Sequence, residues 1–238
     1  MNDLLKMTID AHGGMDKWRK FYNASAHLSV GGILWELKGQ KDTISEVDIN
    51  VNLLEQKVSH IPNKEWHTVY TPQRVAIENG NNETIEELYN PRASFKDHVL
   101  ETKWSKPQLA YFVGYAMWSY INEPFLFARP GFEVTEIEPW EEDNETWRRL
   151  KVKWPKDVHT HSTEQIFYID KEGLVRRLDY QTEIAGNSPA AHYLHDYKEV
   201  DGIKIATRRI VYIRDENNKA VKDGPVIVSI DLSDIKLS

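Results

Sequence analysis

From Ala24 to the C-terminus most of the chain alternates apolar and polar residues with a period of two, the pattern of strands with one buried face. In "EVDINVNLL" Val47, Ile49, Val51 and Leu53 alternate with Asp48, Asn50 and Asn52. "TWRRLKVKW" sets Arg148, Leu150, Val152 and Trp154 on one face, and "LVRRLDYQTEI" groups Leu174, Arg176, Leu178, Tyr180, Thr182 and Ile184. "IKIATRRIVYI" aligns Ile203, Ile205, Thr207, Arg209, Val211 and Ile213, and the last strand aligns Val226, Val228, Ile230 and Leu232. Turn chemistry separates the runs at Asn79-Gly80-Asn81, Asp170 to Gly173, Asp201-Gly202 and Asp215 to Asn218. Short turns between alternating strands predict an antiparallel meander of roughly nine to eleven strands, wide enough to curl or close.

Two segments break this period. Asn2 or Asp3 can cap a first helix with Leu4, Leu5 and Ile9 near one face, ending at Gly13-Gly14, and a short turn in "MDKWRKFY" follows. The second is "PQLAYFVGYAMWSYINEPFLF", Pro107 to Phe127, the most apolar part of the chain. A bilayer span needs about 20 apolar residues, and the uninterrupted run from Leu109 to Ile121 is too short, so no integral membrane segment is expected. With Pro107 in its first turn and Pro124 beyond its end, the segment reads as a helix that is apolar nearly all round and therefore buried on more than one side. Either it fills the core, or Tyr111, Phe112, Tyr115, Met117 and Trp118 line a pocket between helix and sheet, since Tyr and Trp carry polar tips that need partners. The expected fold is mainly β with some α: a large curved antiparallel sheet forming a half-barrel, helices covering its concave face, in one domain over residues 1–238 with the aromatic helical insertion near 105–123.

Composition narrows the function. A net charge of −7 without a Lys/Arg cluster argues against nucleic acid as a partner. The chain has no cysteine, which removes thiolate catalysis and cysteine-held metal sites. "MNDLLKMTIDAHGG" lacks the apolar core of a secretory signal, so a cytoplasmic location is expected. There is no nucleophile elbow, phosphate-binding glycine loop, dinucleotide fingerprint or His-Glu-x-x-His motif, and no cofactor is expected.

Seven stretches, "AHGGMDKW", "LWELKGQ", "NPRASF", "LAYFVGYAMW", "EPWEEDNETWRRLKV", "AAHYLHDY" and "VSIDLSDI", spread over the whole chain, resemble a bacterial group labelled outer membrane lipoprotein-sorting protein-like, related in fold to carriers of the LolA/LppX type. The resemblance implies an incomplete β-barrel with helices plugging its mouth over an apolar cavity, which in the carriers receives acyl chains.

Several polar residues fall on apolar faces. Arg176 lies between Leu174 and Leu178, Arg209 between Thr207 and Val211, and Arg148 shares a face with Leu150 and Val152. A buried guanidinium needs a partner: either carboxylates of neighbouring strands, or the head of a bound molecule. The expected function is binding of a small apolar or amphipathic molecule by Tyr111, Phe112, Tyr115, Trp118 and Tyr180, with Arg148, Arg176, Arg209 and His192 at its polar end, in a monomer or homodimer. The alternative is an enzyme using the same cavity, with His192 and Asp196, on one face of "HYLHDY", as acid and base, or a metal on His159, His161 and His195. The His-x-His geometry holds only on a strand, and the residues after Pro155 are loop-like.

Overall fold

The computed structural model describes residues 2–238. Asn2 caps α1 (Asp3–Ala11), accepting from the Leu5 amide at 2.7 Å, and the helix buries Leu4, Leu5, Thr8 and Ile9. α2 (Met15–Trp18) follows. The first arm of the sheet is β1 (Asn23–Gly31), a helical turn α3 (Leu34–Leu37), then β2 (Glu46–Asn52), β3 (Lys57–Ile61), β4 (Trp66–Tyr70), β5 (Arg74–Asn79) and β6 (Thr84–Tyr89). The second arm, after the helix α4 (Lys106–Asn122), is β7 (Glu133–Glu142), β8 (Glu145–Lys153), β9 (Glu164–Ile169), β10 (Val175–Thr182), β11 (Ser188–Val200), β12 (Ile203–Ile213) and β13 (Val228–Leu237).

All thirteen strands form one antiparallel sheet in the order β6-β5-β4-β3-β2-β1-β13-β12-β11-β10-β9-β8-β7. That exceeds the nine to eleven expected, because strands as short as β3 and β4, five residues each, carry too few alternations to register in the pattern. Every neighbouring pair is consecutive in the chain except β1 and β13, which join the two arms. β6 and β7 remain free edges, so the sheet is an open half-barrel. Both edges are guarded by charge: β6 carries Glu86 and Glu87, and β7 carries five glutamates and Pro139, a composition that opposes further strand pairing.

This topology explains where α4 lies. β6 and β7 follow one another in the chain but sit at opposite edges of the sheet, so the connection between them must cross the concave face. Ser105 and Gln108 close a reciprocal capping box at its start. The helix packs on β2 to β5, and Gly114 makes that approach possible, since a Cβ there would lie 2.3 Å from Cγ of Tyr70. Its residues are buried on every side, as its all-round apolarity requires. A second, smaller apolar cluster of Trp147, Tyr168, Ala191 and Tyr193 lies apart from this main core.

Candidate functional site

The aromatic side chains of α4 fill the half-barrel, and their polar tips are partnered. Tyr111 Oη lies 2.9 Å from Nδ1 of His159 and accepts from Arg92 at 3.3 Å. Tyr115 Oη lies 3.2 Å from Nδ1 of His161, whose Nε2 lies 2.7 Å from Tyr120 Oη. The His161 ring stacks on Tyr180 at 4.1 Å with a 7° interplanar angle. Burial, and then the charge of Arg92, pushes His161 down to about 3, so a neutral imidazole bridges the two tyrosines. Trp118 donates from Nε1 to the Asn52 carbonyl at 2.9 Å, and Phe112 packs edge-on against His161 and Trp35.

Deeper in the sheet, Arg209 is 3% exposed and has no paired carboxylate among the described residues. It donates to the Tyr120 carbonyl at 3.0 Å, sits 4.5 Å from the centroid of the Tyr120 ring, and lies 3.5 Å from Nε2 of His192. Its Nε and the Nδ1 of His192 have no partner. Burial and the Arg209 charge hold His192 far below its ordinary range, as a neutral ring. Glu123 lines the same void as Arg209, a space of about 10 Å³, room for one water. Burial pushes its carboxyl up to about 7 against the pull of Arg209, and its Oε1 is also without a partner.

The other residues expected at the site are placed differently. A bulge between Val175 and Arg177 breaks the alternation of β10: Val175 joins the main core, and Arg176 is a third exposed and paired with Asp170 at 2.5 Å. Arg148 is in solvent, held by Glu136 through bonds of 2.8 and 2.9 Å. The His192–Asp196 couple does not form, because Asp196 takes a left-handed backbone conformation, φ 53°, and is exposed, while His192 is buried; this corrects the shared face expected for them. The three candidate metal ligands do not converge either. His159 and His161 lie in the β8–β9 loop, His195 is exposed beside Tyr193, and no metal-holding group of three such side chains exists among the described residues. No described helix is long and apolar enough to cross a membrane.

Open space lies instead at the end of the half-barrel where β2 turns into β3. A concavity of about 280 Å³ there is walled by Trp18, Phe21, Leu53, Leu54 and Phe125, with Arg19 and Arg129 also on its lining. Trp18 stacks on Phe125 at 4.4 Å and 7°. Arg129 donates to the carbonyls of Leu54 (3.0 Å) and Leu53, and lies 5.7 Å from the Trp118 ring. Sequence reading missed both arginines, since neither sits in a periodic stretch; the only local signal was "ARPGF", a cation directly after the aromatic run.

No family model matches the chain, and no curated protein does. Solved structures do. A DUF1329 family protein from Desulfovibrio piger is 12% identical with a TM-score of 0.46, covering 100% of this chain and 94% of that one. A LolA superfamily protein from Nitrosomonas europaea is 11% identical, TM-score 0.45, covering 98% and 92%. A structure described as an outer membrane lipoprotein-sorting protein domain, from Vibrio parahaemolyticus, is 10% identical, TM-score 0.43, covering 100% and 94%. At fold level the chain resembles these structures. The cytoplasmic location expected above is withdrawn: similar structures are described as an outer membrane lipoprotein-sorting protein domain and a lipoprotein, and where the sequence begins does not bear on whether a leader precedes it.

Proposed function

We propose that this chain binds a small apolar or amphipathic molecule at the open end of its half-barrel, between α2 and the β2–β3 turn. The observation that carries the reading is the concavity of about 280 Å³, close to the lower bound for small-molecule sites, with apolar walls and few polar groups. Beneath the middle of α4 the interior is filled by buried side chains, so the seat lies where the helix ends. Some structures of similar fold are described as lipoprotein-sorting proteins or lipoproteins, which agrees in kind with an apolar cargo.

The test is calorimetric titration of the protein with dodecanol below its solubility limit, repeated on Ala128→Trp. Ala128 is exposed on the concavity's lining, so the indole occupies the space without disturbing the core. Saturable binding that weakens at least about tenfold in the variant is expected. Absence of binding, or equal binding by the variant, contradicts the reading.

A further inference from the structure

We infer that the molecule held at this end carries an anionic head, a carboxylate or phosphate on an alkyl chain, gripped by Arg129 and Arg19. The inference rests on the proposed binding function and gives its ligand a chemical class.

The charge of the site is the first argument. The chain as a whole is acidic, at −7, yet the residues lining this concavity include two arginines and no Asp or Glu. Elsewhere most of the arginines are paired, Arg74 with Glu87, Arg92 with Glu183, Arg148 with Glu136, Arg176 with Asp170, and Arg177 and Arg214 with Asp179, leaving Arg149, Arg208 and Arg209 without a carboxylate among the described residues. The second argument is the state of Arg129. Its partners are the carbonyls of Leu53 and Leu54 and, at 3.5 Å, the amide oxygen of Asn122; all are neutral. Carbonyl dipoles fix the direction of the planar group while leaving its charge uncompensated, which is the condition of a preorganised oxyanion receptor. Third, the apolar walls adjoin the cations directly: Trp18 and Phe125 form one stacked face and Leu53 another. A free anion would use the arginines and leave these walls wet, whereas an amphiphile covers both.

Dodecanoate and dodecyl phosphate below their micelle concentrations, dodecanol below its solubility limit, and acetate would be titrated by calorimetry into the wild type, Arg129→Gln, Arg129→Lys and Arg19→Gln. The two anionic amphiphiles should bind at least about tenfold more tightly than dodecanol, and Arg129→Gln should remove that preference. Arg129→Lys should retain part of it. Arg19 is exposed and makes no side-chain hydrogen bond, so Arg19→Gln keeps the test valid if loss of the Arg129 bonds to Leu53 and Leu54 harms folding; about a threefold loss for the anions alone is expected. Equal affinity for dodecanoate and dodecanol overturns the anionic head but leaves the binding function standing. Acetate binding as tightly as dodecanoate overturns the amphiphile in favour of a free-anion site. Failure of every dodecyl compound overturns the binding function itself.

Discussion

Arg177 and Arg209 are both buried guanidiniums in the second arm, on β10 and β12 either side of β11, and the protein treats them in opposite ways. Arg177, fully buried in β10, is saturated. It makes a bidentate pair with Asp179 at 2.7 and 2.9 Å, bonds Glu142 at 2.7 Å and the Asn218 carbonyl at 2.5 Å, and has the rings of Tyr168, Tyr193 and Trp140 within 4.7 to 5.6 Å. Its charge is matched on every side, so it fixes the β7–β8 end and the loop around Asn218 onto the sheet. Arg209, within the half-barrel, has one carbonyl, one ring and a distant imidazole, with Nε unsatisfied. A buried charge that is fully coordinated belongs to the architecture; one left with spare donors belongs to a place where a water or another group can be exchanged.

Breaking the saturated side should have the largest effect. Arg177→Met strips the buried Asp179 of its bidentate partner, leaving it only Arg214 as a cation, at 3.6 Å, and is expected to lower stability by about 3 kcal/mol in urea unfolding. Adding Asp179→Leu should recover part of that loss, since removing both partners of a buried pair costs less than removing one. A double variant no more stable than the single one would show that the pair is not what makes Arg177 matter.

Arg209→Met sharpens the contrast. It removes one charged hydrogen bond and an unsatisfied Nε together, so the loss should stay within about 1–2 kcal/mol. A loss equal to that of Arg177→Met would mean that the two sites are energetically alike and that the spare donors of Arg209 are not spare.

The same comparison shows what a linear pattern can and cannot reveal. The alternation in β2, β8 and β13 identified the inward residues Val47, Ile49, Val51, Leu150, Val152, Val228, Ile230 and Leu232, all of them buried, because a paired strand keeps its phase. Arg209 was legible for that reason. Arg176 was expected inward and Arg177 outward, yet the bulge after Val175 exchanges which residue faces the main core, and a bulge has no periodic signature. Asp196 misled through a single residue of positive φ, which likewise leaves no mark on the alternation. That Arg177 is buried although it points away from the half-barrel depends on Glu142, Tyr193 and Asn218 arriving from distant parts of the chain. The helix α4 was legible from its prolines and apolar run. The open end was not, since it is assembled from the C-terminal flank of α4, a turn and a four-residue helix, none with a repeating pattern.

The smallest effect is a pH dependence confined to the Arg209 side. Glu123 has its carboxyl raised from 4.5 to about 7 in the folded state, chiefly by burial. Between these values the folded protein holds a proton that the unfolded chain has released, so Glu123 makes stability fall as pH rises from about 4.5 to 7, with the full penalty present above 7. Glu123→Gln removes the penalty. At pH 8 the variant should therefore be more stable than the wild type, by on the order of 1 kcal/mol given the residue's partial exposure, and the gap should close as pH falls below about 4.5, where the carboxyl is protonated in both states. The buried histidines act with the opposite sign: His12 and His60, pushed down to about 4, and His161, to about 3, take up protons on unfolding below pH 6.5, so acid destabilises wild type and variant alike. That shared slope cancels when the two urea midpoints are subtracted at each pH. A difference that is flat from pH 4 to 8, or that grows on acidification, would show that Glu123 keeps its charge beside Arg209 and that the Arg209 side is paired after all.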